Sequence, residues 1–148
     1  MASRGMMTGM RGVYLVAAEL TRLGWIVSPT SRNAAGADLL VTDEHCSRAW
    51  SVQVKTNSKS GTHWLVSKNA DAITSDSHIY VFVDLKPNDE RPDFYVVPSH
   101  AVAANIRKVT NSTGTVWRRF DKQEKYRNNW DAFDQPQDGY AVVRSLKH

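Results

Sequence analysis

The chain has 148 residues, 41% hydrophobic and 23% charged, with 8 Gly and 5 Pro, which fits one folded domain over 1–148 and excludes disorder, collagen and low complexity. No apolar run exceeds about seven residues, far below the roughly 20 of a membrane-spanning helix, Glu19 interrupts the apolar patch at 13–18 before it could serve in export, and Cys46 is the single cysteine, so no membrane, disulfide or multi-thiolate zinc role is expected and the setting is read as cytoplasmic. A net charge of +4 suits a polyanionic partner without establishing one.

Residues 10–23 predict a helix, because Val13, Val16, Leu20 and Leu23 recur at helical spacing and Gly24 sits where a left-handed cap belongs. Residues 25–27 predict a short strand stopped by Ser28-Pro29, followed by a small, polar loop at 31–36. Residues 37–41 and 50–56 flank a polar stretch and predict a β-hairpin. Centring its loop between His45 and Cys46 pairs Val41 with Trp50 and sets Asp38 opposite Gln53.

The run at 79–85 is continuously apolar, as expected of a strand covered on both faces. A strand at 94–97 closes at Pro98, and Ser99 is placed to cap a helix through Ile106. Residues 117–127 hold Arg118, Arg119, Lys122, Lys125 and Arg127 against Asp121 and Glu124, which marks either a phosphate-contacting segment or a solvated helix face. A short helix over 126–133 and a last strand or helix over 140–146 complete the order. The whole reads as an α/β fold, a central mixed β-sheet flanked by helices, with a core at about 10–98 and a helical, basic part at about 99–148.

Four residues carry the candidate chemistry. Glu19 lies at the margin of the apolar stripe of its helix, so its carboxylate points toward the protein body and needs a cation, donors or an arginine such as Arg22. On the hairpin, alternation separates Trp50, Val52 and Val54 from Ser51, Gln53 and Lys55. Asp38 then joins Gln53 and Lys55 on one polar surface. Two carboxylates and an amide oxygen are hard ligands suited to Mg²⁺, and a neighbouring ammonium can steer a water or offset charge on a phosphoryl group. The plainer alternative is a solvated strand face.

The order of a helical glutamate (Glu19), Gly36-Ala37-Asp38 at a strand start, and Gln53-Val54-Lys55 on the next strand resembles the PD-(D/E)XK nuclease superfamily, which includes restriction endonucleases and archaeal Holliday-junction resolvases. The resemblance implies a restriction endonuclease-like sheet flanked by helices and phosphodiester hydrolysis in DNA. It also implies Mg²⁺, with Mn²⁺ able to substitute, held by Asp38, Gln53 and Glu19, and Lys55 as the catalytic lysine. No proline precedes Asp38 directly, and Gln53 stands where most members have an acid, which implies weaker metal affinity. The alternative is a catalytically inactive module of this fold that binds nucleic acid or protein.

Lys59 and His63 lie just after the motif and, with Arg118, Arg119 and Lys122, are the candidate nucleic-acid contacts. The histidines lack metal-ligand spacing and are assigned to loops or caps. Neither G-x-x-x-x-G-K nor G-x-G-x-x-G occurs, so no nucleotide cofactor is expected. The small size leaves little room for target recognition within one copy, which points to a homodimer presenting two sites.

Overall fold

The computed structural model describes residues 1–31 and 36–134 of the chain. Helix α1 (Arg4–Arg22) begins at Ser3, whose Oγ accepts the Met6 N–H at 3.2 Å. It starts six residues before the expected boundary at residue 10, because its first turns are exposed and carry Gly5 and Gly9, which hide a helix from a periodicity argument. It ends as expected. Gly24 is left-handed (φ 96°) and donates to Thr21 O at 3.0 Å, and Trp25 N reaches back to Leu20 O at 3.0 Å.

Strands β1 (Ile26–Pro29), β2 (Leu39–Thr42), β3 (Ala49–Asn57), β5 (His78–Asp84) and β6 (Asp93–Pro98) form one sheet in the order β1-β2-β3-β5-β6. All neighbours are antiparallel except β3 and β5, so the sheet is mixed, as expected. The β2–β3 register pairs Val41 with Trp50 and Leu39 with Val52, the register that the symmetric loop predicts. All seven residues of β5 are buried, because both faces of the sheet are covered.

The two covers differ. On one face Val16 and Leu20 of α1 pack with Trp50, Val52, Val54, Ile79, Val81 and Phe133. The other face carries Tyr80, Phe82, Tyr95 and Val97 against Trp64, Val66, Val102 and Phe120. That second cover is a small antiparallel sheet, β4 (His63–Val66), β8 (Val116–Asp121) and β7 (Ile106–Thr110) in that order, with helix α2 (Ser99–Ala104) beside it.

This second sheet corrects the expected helical character of residues 106–121. Residues 117–121 are a strand, and residues 124–126 and 130–134 form separate 3-10 turns around the left-handed Asn128 (φ 51°). Ser99 does not cap α2: Pro98 occupies that position and Ser99 Oγ donates to Ser75 O at 2.7 Å. The expected element at 140–146 lies outside the described residues. Among the described residues no helix is long and apolar enough to cross a membrane.

Candidate active site

Asp38 is positioned by the end of a strand. Gly36 makes the turn with φ 79°, a conformation that favours glycine. Asp38 then donates its N–H to Val52 O at 2.8 Å, while its own carbonyl accepts the Thr30 N–H at 2.9 Å. Strand β2 offers Val54 no further carbonyl, and Asp38 Oδ2 takes that place by accepting the Val54 N–H at 2.8 Å. The carboxylate is thereby fastened to the peptide that joins Gln53 to Val54, and its second oxygen accepts no hydrogen bond from the described residues.

Gln53 and Lys55 alternate with the core residues Val52 and Val54, and they pair in parallel register with Tyr80 and Phe82. They therefore share the face of the second sheet, both partly exposed. Gln53 Oε1 is buried without a hydrogen-bond partner among the described residues. An orphaned carbonyl oxygen beside a fixed carboxylate is a hard-oxygen donor pair, which fits Mg²⁺ because that ion takes one or two protein carboxyl ligands and keeps several waters. The residues present suit the cation the motif implies. No three His, Cys, Asp or Glu side chains gather as a cation cage among the described residues.

Glu19 is not brought to this face. Helix α1 covers the Val52 and Val54 side of the sheet, and the Glu19 carboxylate, almost fully buried, is held by arginines. Arg22 Nη2 and Arg91 Nη2 donate to Oε1 at 2.6 and 2.7 Å, and Arg22 Nε donates to Oε2 at 3.2 Å. The Arg22 hydrogen bonds, then the one from Arg91, hold its pKa below the usual carboxylate value against the opposing effect of burial.

The five nucleic-acid candidates part company. Lys59 is exposed, and His63 is half-buried with Nδ1 3.1 Å from Thr62 Oγ1. Arg119 pairs with Asp121 at 3.0 Å, and Arg118 lies 3.7 Å from Asp71. Lys122 turns inward: its Nζ is bonded to the fully buried Asp84 and sits 5.4 Å from the Trp64 and Tyr95 ring centroids. A strand sends successive side chains to opposite faces, which a charge count over 117–127 cannot show.

Two polar residues beside the site escape a reading of the apolar run. His78 and Tyr80 pair with Ser51 and Gln53, and His78 Nδ1 lies 2.6 Å from Ser51 Oγ. His78 Nε2 and the Tyr80 hydroxyl are buried and have no hydrogen-bond partner among the described residues. Burial lowers the His78 pKa and raises that of Tyr80, so both stay neutral near pH 7. Their signal was the alternation of His78 and Tyr80 with Ile79 and Val81, masked because Tyr counts as apolar.

No protein-family model matches the sequence, and no curated protein matches it. Among solved structures, the chain is similar to a bacterial homing endonuclease, I-Ssp6803I, with a TM-score of 0.58 at 16% identity over 90% of this chain and 92% of that one. The likeness is one of fold: the mixed α/β architecture that carries Asp38, Gln53 and Lys55 is also that of a nuclease.

Proposed function

We propose that the protein is a metal-dependent nuclease of the PD-(D/E)XK type that hydrolyses phosphodiester bonds in DNA. The observation that supports it is the fastening of the Asp38 carboxylate to the β3 peptide at Val54, next to Gln53 and Lys55, on a fold similar to that of a homing endonuclease. Asp38 and Gln53 would hold Mg²⁺ or Mn²⁺, which supplies Lewis-acid polarisation of a phosphoryl oxygen. Lys55 places a cation beside the same face, where it orients the attacking water and offsets the negative charge that grows on the phosphoryl oxygens as the leaving alkoxide departs. Glu19 is assigned to structure, because ligation would require it to give up Arg22 and Arg91.

The second reading, an inactive module that binds nucleic acid, draws on the same count of carboxylates: with Glu19 taken, Asp38 remains alone beside an amide. Cleavage of supercoiled, branched and single-stranded DNA in Mg²⁺ or Mn²⁺ separates the two. Lys55→Ala should lower the cutting rate by about 10²–10⁴. Asp38→Asn, which keeps an acceptor for the Val54 N–H and so preserves the fold, should lower it comparably and abolish cation-dependent stabilisation. Absence of cutting and of cation-dependent stabilisation in the wild-type protein would establish the module instead.

A further inference from the structure

The strands β7 and β8 run on beyond the sheet that anchors them. Strand β4 pairs with β8 only from His63↔Asp121 to Val66↔Arg118, whereas β7 and β8 continue through Val109↔Trp117 and Thr110↔Val116. Residues 107–117 are all exposed. The result is a two-stranded antiparallel ribbon that, among the described residues, pairs with no further strand on either edge over its outer part.

We propose that this ribbon is a DNA-recognition arm that enters the major groove of a B-form duplex. The proposal takes its substrate class from the nuclease reading and adds where that substrate is gripped. Chemistry along the ribbon is graded. Its root carries Arg107, Lys108, Arg118 and Arg119, and residues 106–119 contain no acidic residue. Asp121, 3.0 Å from both Arg107 and Arg119, and Asp71, 3.7 Å from both Lys108 and Arg118, offset part of that charge and leave an excess of two positive charges. Arg107 and Lys108 side chains are 63% and 57% exposed, so both can reach phosphates.

The tip is uncharged. Residues 110–115 are Thr, Asn, Ser, Thr, Gly and Thr, a set of short donors and acceptors suited to base edges. The tip is also organised in advance. Asn111 Oδ1 accepts the Thr113 and Thr115 N–H groups at 3.0 and 2.9 Å, and Gly114 adopts φ 83° and donates to Asn111 O at 3.1 Å. A preformed tip avoids the ordering cost that a flexible loop meets on binding. The major groove of B-DNA admits a two-stranded ribbon, whereas that of A-form RNA is too deep and narrow, so the shape selects DNA.

The test is binding of the full chain to a short mixed-sequence DNA duplex in metal-free buffer, followed by fluorescence anisotropy over a salt series. Arg107→Ala combined with Lys108→Ala should weaken binding about tenfold and reduce the salt slope by about two. Wild-type protein offered the same duplex with glucosylated hydroxymethylcytosines, which fill the major groove, should lose affinity to a similar extent; this arm needs no variant to fold. Unchanged affinity and slope in the double variant, or equal binding to the glucosylated duplex, overturns the arm. The two readings fail separately. Cutting that depends on Lys55 without ribbon-dependent binding retains the nuclease and removes the arm; ribbon-dependent binding without cutting does the reverse.

Discussion

Asp38 and Glu19 carry the same functional group in opposite circumstances. Asp38 gives one oxygen to a backbone N–H and its other oxygen has no hydrogen-bond donor among the described residues, whereas both Glu19 oxygens are occupied by guanidinium groups. The helical spacing was enough to show that Glu19 points inward, and Arg22 was foreseeable at one turn's distance. Arg91 was not, because it arrives from 72 residues away and no local pattern encodes which loop crosses a helix. Since the folded-state pKa of Glu19 lies below its ordinary 4.5, the folded protein binds this proton more weakly than the unfolded chain. That stability is complete above the unfolded value and is lost as pH falls through the folded one. Glu19→Gln should therefore cost about 1 kcal/mol at pH 7, below the range of buried charge-assisted bonds because both arginines face solvent. The difference from wild type should shrink as urea titrations are moved below pH 4.5. Cutting per folded molecule should persist; a loss matching that of Asp38→Asn would return Glu19 to the metal.

Strands β2, β3 and β5, with one-sided or complete burial, were legible, and β7 and β8 were not. The β2–β3 register followed from a symmetric loop, and β5 from an unbroken apolar run, because burial writes itself into sequence at period two or as continuity. Strand β7 has no buried residue and β8 buries only Phe120, so almost no core face selects their residues and their alternation is faint. The seating of α1 lay equally out of sight. A Cβ built on Gly12 would overlap Thr56 Oγ1 and lie 2.8 Å from Thr56 Cβ, so this glycine lets the helix approach β3 closely, whereas Gly9 has nothing within 4 Å. Alanine gains roughly 1 kcal/mol over glycine in a helix interior, while overpacking costs about 1–3 kcal/mol. Gly12→Ala should thus destabilise by about 0–2 kcal/mol. Gly9→Ala should stabilise by up to about 1 kcal/mol. Equal gains in chemical denaturation would mean that α1 does not rest on Thr56.

Across the whole molecule, the two sheets meet through a buried ion pair as well as through aromatic packing. Asp84 at the end of β5 has no exposure, accepts from Asn57 Nδ2 at 3.1 Å and binds Lys122, which follows β8. Lys122 is tied at both ends: its N–H donates to Thr62 O at 2.8 Å, and its ammonium lies 5.4 Å from both the Trp64 and the Tyr95 ring centroids. The lysine expected from its basic neighbours to touch phosphate is thus the internal counter-ion that fixes the small sheet, and with it the ribbon, to the sheet that bears Asp38, Gln53 and Lys55. Removing one partner of such a pair strands a charge in low dielectric, so Lys122→Ala should cost about 3–5 kcal/mol, a large share of the total stability of a domain. Replacing both groups, Lys122→Met with Asp84→Asn, removes the stranded charge and should recover most of that loss. Urea unfolding of the single and double variants reads both values. If instead Lys122→Ala leaves stability unchanged and reduces the salt slope of DNA binding by about one, the lysine contacts phosphate and the two sheets are joined by packing alone.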